Sequence, residues 1–318
     1  MVDFSIITPV FNGEIYLEET INSVLSNLDS RFSYEYLIID DGSTDSTREI
    51  LLKYSHESVI KIFSLTNGGE AAAVNFALDK SVGKYVIVVN ADDPLVSSKL
   101  FYESHVALDS DLNIAVAYPD WNVISDENRI IETKKLPDYS LDLLVGEFRC
   151  LPGPGAVFRR SAALKIGGRN TGFKFVSDYD FWLRMSQVGT FIHIPNVLAQ
   201  WREHTHSTSV ASRGFEMGLE RIKVMENFLR DSNLDSELKR KGLSHAYYNA
   251  ALLSYFSKSV PGRKWMFKAF RTRRKLIENS DVRIILFCLF LPISRILLPI
   301  LNITPLINRP IKRVKRAQ

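Results

Sequence analysis

Apolar residues along the first 118 positions come in short runs that alternate with helically spaced ones. Phe4-Ser5-Ile6-Ile7 is one such run, closed by Thr8-Pro9. Leu17, Ile21, Val24, Leu25 and Leu28 then recur at the intervals of a helix face. Tyr36-Leu37-Ile38-Ile39 predicts a second buried strand ending in Asp40-Asp41-Gly42-Ser43, with Ser43, Thr44 and Asp45 placed to cap the next helix. Val59 to Phe63 predicts a third strand. Glu70 to Asp79 predicts an alanine-rich helix entered through Gly68-Gly69. Tyr85 to Val89 predicts a fourth strand, closed by Asn90-Ala91-Asp92-Asp93-Pro94. Strands alternating with helices across short connections imply a parallel sheet covered on both faces.

Beyond residue 118 the pattern loosens. Trp121 to Ile124 and Arg129 to Thr133 fit a hairpin around Asp126-Glu127-Asn128. Pro152-Gly153-Pro154-Gly155 is a loop that cannot be helical. Ser177 to Gln187 predicts a helix, residues 214 to 280 a helical region, and residues 284 to 301 form a strongly apolar stretch.

In open α/β sheets, ligands sit beyond the carboxyl ends of the strands. Asp40-Asp41 and Asp92-Asp93 lie at two such ends and are expected on one rim. Adjacent carboxylates at 92 and 93 suit a hard divalent cation, Mg2+ or Mn2+, that also holds a diphosphate. The plainer reading is a capped turn with Pro94 opening the next helix. Asp40 and Asp41 suit a hydrogen bond to a base or ribose, or else only a turn and N-cap. On a helix Asp178 shares a face with Phe181, Trp182 and Met185, whereas Asp180 and Arg184 form a structural i,i+4 pair. A carboxylate at the edge of an apolar face gains basicity by desolvation and suits a general base. If Asp178 is instead an ordinary acid at a helix N-terminus, the dipole shifts it the other way. Trp201-Arg202-Glu203-His204-Thr205-His206 follows an expected strand. It reads as a basic cluster for a diphosphate, with a zinc site or a polar loop as alternatives.

The composition, 46% hydrophobic and 24% charged over 318 residues, is that of a globular protein. Two cysteines, Cys150 and Cys288, form no CxxC pair and fit a reducing compartment. The N-terminus reads as the start of a folded domain, without the features of a secretory signal. The net charge of +4 is unevenly placed: Gly262 to Lys275 holds seven Lys or Arg and no acid, and Arg309 to Arg316 five more. This asymmetry points to a polyanion, nucleic acid or an anionic lipid surface. No nucleic-acid recognition motif accompanies it. Residues 284 to 301 approach the ~20 residues that cross a bilayer. Pro292, Pro299 and Arg295 favour a monotopic or re-entrant segment, and Trp265, Met266, Ala269 and Phe270 can share an apolar face for membrane contact.

Together these motifs resemble the family 2 glycosyltransferases, over residues 4 to about 209. Ser5-Ile6-Ile7-Thr8-Pro9-Val10-Phe11-Asn12 looks like the family's first strand, with Phe11 where Tyr is usual. Ile38-Ile39-Asp40-Asp41-Gly42-Ser43-Thr44-Asp45 matches the second motif, and Asn67-Gly68-Gly69 with Asn75 resembles the next nucleotide-side segment. Asn90-Ala91-Asp92-Asp93 corresponds to the acidic metal motif, with Asn90 in place of its first acid. Gly153 to Arg160 resembles the acceptor-side loop and strand, Ser177 to Arg184 the segment carrying the base, and Trp201 to His204 with Ser207 a late motif near the diphosphate.

The resemblance implies an A-type nucleotide-sugar-binding α/β sheet with helices on both faces, plus a helical C-terminal extension. A catalytic domain is thus expected over 1–212, and the helical, apolar and basic patterns beyond it predict a helical extension over 213–280 and an apolar and basic membrane-associating tail over 281–318. Asp178 is the implied catalytic base and Asp93 the implied ligand of Mn2+ or Mg2+. Pro9, Phe11, Asp40, Asp41, Asn67, Asp92, Gly155, Arg202 and His204 are the implied substrate contacts. The implied reaction is inverting transfer from a nucleoside-diphosphate sugar to a glycan or lipid-linked acceptor in cell-surface polysaccharide or glycoconjugate synthesis. It would take place on an anionic membrane surface at the cytoplasmic face of the cell membrane, with no nucleic acid partner. A nucleotidyltransferase and a non-catalytic nucleotide-sugar-binding homologue are the alternatives. The first lacks support, because Thr8 to Gly13 offers no basic phosphate loop.

Overall fold

The computed structural model describes residues 2–204, 214–256 and 262–273. The α/β part opens with β1 (Phe4–Val10), α1 (Leu17–Ser26), β2 (Tyr34–Asp40), α2 (Thr47–Lys53), β3 (Ile60–Ser64), α3 (Glu70–Lys80), β4 (Tyr85–Val88) and α4 (Lys99–Asp109). It continues through β5 (Ile114–Ile124), β6 (Ile130–Lys134), β7 (Val157–Arg159), α5 (Arg160–Lys165), α6 (Ser177–Met185) and β8 (Thr190–Arg202). The sheet order is β3-β2-β1-β4-β7-β5-β6, with β8 on the other side of β5.

β1 to β4 pair in parallel, as the alternating pattern predicts. β1 is buried at every position because helices cover both faces. Pro9 is buried opposite Ile39 of β2, and pairing with β4 ends at Ile7–Val88, so its missing N–H breaks no ladder bond on that side. The sheet is not parallel throughout. β7 runs antiparallel to both β4 and β5, and β6 folds back on β5 as the expected hairpin. The apolar stripe of α1, Leu17, Ile21 and Val24, packs on Phe4, Ile6 and Ile38 from the sheet. Asp45 receives the Thr47 N–H at 3.0 Å and so satisfies the start of α2, whereas Ser43 and Thr44 bond to Asn12 instead.

Glu35 is a charge inside this sheet, 3% exposed. Its carboxylate accepts the Ser5 hydroxyl and the Val82 N–H at 2.6 Å each, and Lys61 Nζ at 2.8 Å. Burial works against its ionised form, but the bonds from Lys61, Ser5 and Val82 outweigh it and hold its pKa below the ordinary glutamate value.

The chain divides into two compact units, one of residues 1–139 and 151–207, the other of 140–150 and 208–318. The second contains α7 (Gly214–Arg230), α8 (Ser236–Phe256) and α9 (Gly262–Thr272), with a single π turn at Asp142–Gly146. Segment 140–150 interrupts the 1–212 span read as one domain and folds with these helices, where Asp142 binds Lys241. Ile222, Tyr247, Ala250, Trp265, Met266 and Ala269 form the core of the helical unit. Gly218 lets α7 and α8 approach closely, since a Cβ there would lie 3.1 Å from the Ala250 Cα. The sequence pattern offered Trp265, Met266 and Ala269 to a membrane. They are buried between helices instead, which corrects that expectation.

Glu35→Gln is expected to lower stability by about 1 kcal/mol at neutral pH through loss of the Lys61 bond. A lowered folded-state pKa contributes stability above the unfolded value, about 4.3, that is lost as pH falls through the folded value. Urea midpoints should therefore show the gap between wild type and variant closing on acidification.

Candidate active site

The register brings the carboxyl ends of β1, β2, β4, β5 and β8 and the start of β7 to one edge of the sheet. Asp40 and Asp41, Asn90 to Asp93, Gly155 and Arg202 to His204 all lie on this edge.

Arg202 closes β8 and is fully buried, the largest side chain in the molecule to be so among the described residues. Its Nε donates to the Asp92 carbonyl at 3.0 Å, Nη2 to Glu19 at 2.8 Å and Nη1 to Asn128 at 2.7 Å. Nη1 also reaches the carbonyls of Ser125 and Asp126 at 3.2 and 3.3 Å. The Tyr16 ring lies against the guanidinium, 4.5 Å from centroid to carbon, while its hydroxyl donates to Asp126 at 2.8 Å. The substrate contact expected of Arg202 is thereby corrected. Its fork is closed by protein acceptors and ties the turn after β4 to α1 and the β5–β6 hairpin.

The two adjacent acids have separate environments. Asp93 is 5% exposed, with one oxygen accepting the Arg202 backbone N–H and the other the Asn90 side-chain amide, both at 2.9 Å. Burial, followed by the charge of Asp92, pushes its pKa well above the ordinary carboxylate range, against the lowering effect of those two bonds. Asp92 is the more open acid and faces His204 Nε2 at 2.9 Å, with side chains 33% and 10% exposed respectively. The Tyr16 ring packs against His204 at a centroid distance of 5.3 Å. Asp93, expected to bind the metal, is thus turned inward, and Asp92, paired with His204, is the more exposed of the two acids. Asn90 replaces a third carboxylate with a donor and limits the like-charge repulsion in the turn.

This donor set fits a divalent cation. Among the described residues no three or more His, Cys, Asp or Glu gather where they could hold a metal ion. One outward carboxylate leaves most coordination positions to phosphate oxygens and water, the way Mg2+ is usually held.

After β2, Asp41 is 3% exposed and its carboxylate accepts the N–H groups of Gly68 and Gly69 at 2.8 Å each. Gly42 has φ +79°, and a Cβ there would come within 2.9 Å of the Asn67 nitrogen. Asp40 is also buried and accepts the Ser43 N–H at 2.8 Å. Both acids, expected to contact a ligand, shape the loops in this structure. The open groups are Phe11, 52% exposed beside the left-handed Asn12, and the exposed Asn67. Pro9, buried in its strand, contributes shape only.

Gly155, with φ +77°, lets the acceptor-side loop approach β8, since a Cβ would meet the Ala199 Cβ at 2.6 Å. Gly155, Asn90, Asp93 and Gln200 line one cleft. Asp178 stands in the first turn of α6 and is exposed, with its carboxylate on the Tyr179 N–H at 2.7 Å. The desolvation expected at Asp178 falls on Asp180, which is buried, paired with Arg184 at 2.6 Å and raised in pKa by its burial. Tyr16, Glu19 and Asn128 escaped the sequence reading. Tyr16 and Glu19, three residues apart at the start of α1, were the available signal.

The glycosyl transferase family 2 model matches residues 5–167. An uncharacterized glycosyltransferase of Rickettsia typhi is 25% identical over 300 residues, 90% of this chain and 88% of the relative. The putative teichuronic acid biosynthesis glycosyltransferase TuaG of Bacillus subtilis is 40% identical over 98 residues, 30% of this chain and 38% of its own. The fold matches S. aureus TarS 1-349, solved in complex with UDP-GlcNAc, at TM-score 0.66 and 18% identity, covering 85% of this chain and 81% of that one.

Truncating the buried fork should be costly whatever the chemistry. Arg202→Ala is expected to lose about 3–5 kcal/mol, because Glu19 and the carbonyls of Asp92, Ser125 and Asp126 lose their donor. Arg202→Lys should recover only part of it. Urea unfolding of both variants measures this.

Proposed function

The chain belongs to glycosyl transferase family 2, and from that premise we propose that it inverts a sugar taken from a nucleoside-diphosphate donor onto a hydroxyl of a glycan or lipid-linked acceptor. The observation that carries this reading is the Asp92–His204 pair, held at the carboxyl edge of the sheet by the buried Arg202. Phe11 and Asn67 offer an exposed ring and amide to the base and ribose, on loops fixed by Asp41 and Asn12. A divalent cation, Mn2+ or Mg2+, held through Asp92 and His204 supplies electrostatic stabilisation of the diphosphate when bound.

Asp178 accepts the proton of the acceptor hydroxyl as its oxygen forms the bond to the anomeric carbon. The bond from that carbon to the diphosphate breaks in the same step, which inverts the configuration. Exposure of Asp178 at the start of α6 leaves it open to an incoming acceptor. Likeness to the teichuronic acid protein supports a cell-surface polysaccharide as the acceptor class. Work at the cytoplasmic face of the cell membrane is supported by the basic C-terminal third. No helix among the described residues is long and apolar enough to cross a membrane. Residues 281–318, Ser207 and His206 lie outside the described residues.

Nucleotide-sugar hydrolysis with Mn2+, followed by acceptor trials, tests the activity, and no turnover of any donor would favour a non-catalytic homologue. Asp178→Asn should lower kcat by ~10²–10⁴-fold with little change in donor KM. A matching rise in donor KM would remove Asp178 from the base role. Asp92→Asn should raise the Mn2+ concentration needed for half-maximal rate more than Asp93→Asn does, and steady-state metal titrations would show the reverse order if Asp93 is the ligand.

A further inference from the structure

Burial of Trp265, Met266 and Ala269 in the helical unit leaves α9 with a different outward face. Arg263, Lys264, Phe267, Lys268 and Arg271 are all exposed. At 3.6 residues per turn they fall within a sector of roughly 140°. Phe267 is 62% exposed and stands among the four cations. No carboxylate among the described residues pairs with any of the four. Glu237 is taken by Arg240 at 2.8 Å and Arg273 at 3.0 Å, and Glu226 accepts the Tyr247 hydroxyl at 2.8 Å. Lys268 lies 5.1 Å from the centre of the Tyr247 ring, which carries no formal charge to neutralise it.

We propose that this outward face of α9 docks on an anionic phospholipid surface, with the four cations at the headgroups and the Phe267 ring inserted at the acyl boundary. The proposal rests on the reading of the chain as a membrane-peripheral protein, and it locates that contact on the side of α9 opposite the one the sequence pattern offered. Charge complementarity selects the partner: four cations on one sector, with no carboxylate paired to them among the described residues, match a negative leaflet, and each is worth about fivefold in partitioning near such a surface. The exposed ring sets lipid apart from a purely electrostatic polyanion, since a headgroup layer offers an apolar region a few ångströms below the phosphates. Lipid binding of this kind depends on neither donor nor metal.

The test uses the full chain with phosphatidylcholine vesicles, with and without phosphatidylglycerol, and no nucleotide-sugar. Wild type is expected to co-sediment with the anionic vesicles and to be released by high salt. Reversal of all four charges (R263E, K264E, K268E and R271E together) should reduce partitioning on the order of a hundredfold or more. Phe267→Ala should reduce it several-fold, with the unfolding midpoint of each variant held at wild type. As a local readout, Phe267→Trp should add emission that brominated lipids quench beyond the wild-type background. Equal partitioning of wild type and the four-charge variant, or no added quenching, overturns the assignment of this face. Failure of wild type to bind anionic vesicles overturns the peripheral reading as well, and sugar transfer measured separately stands or falls by itself. Tighter binding to duplex DNA than to the anionic vesicles also overturns the proposal.

Discussion

A buried guanidinium organises the edge of the sheet where the chemistry is placed. Arg202 has no exposed surface, and its donors reach α1, the turn after β4 and the β5–β6 hairpin, elements from widely separated parts of the chain. A cation removed from water in this way needs most of its N–H groups occupied, and Glu19 supplies the compensating charge. Its backbone N–H meanwhile orients Asp93. One residue thus fixes the turn through both its backbone and its side chain. His204, two positions on, reaches Asp92 from a base that cannot shift without breaking several bonds.

Two acids next to each other would repel if both pointed into one site. The fold separates them. Asp93 turns inward to donors from Asn90 and Arg202, and Asp92 turns outward to an imidazole. The same principle applies after β2, where the buried Asp41 holds the Gly68–Gly69 amides. In both places a buried carboxylate builds the loop.

The helical unit follows a simpler rule. α9 is amphipathic, and its large apolar residues are satisfied by α8 and by Phe215, which stacks on Trp265 at 5.6 Å. What remains outside is charge of one sign around a single ring. Aromatic residues in a basic stretch suggest membrane contact from sequence alone, but only packing tells which of them are available.

Periodicity by itself determined the four parallel strands, the helices between them and the hairpin after β5, because burial on both faces leaves an apolar run that spacing reveals. The acidic turns were legible for the same reason: they follow those runs directly, and a parallel sheet places strand ends on one edge. Tertiary structure decided what each turn residue does. Adjacent residues such as Asp92 and Asp93 carry the same chemistry in the sequence, and their roles diverge only through the donors that distant elements bring to one of them. Arg202 read as a ligand contact because clustered cations look alike whether a phosphate or a protein carbonyl accepts from them. Asp178 and Asp180 exchanged environments for a related reason, since helical spacing gives the stripe but burial depends on what packs against it. The antiparallel β7, only three residues long, has too little pattern of its own to be read, and exists because β4 and β5 flank it.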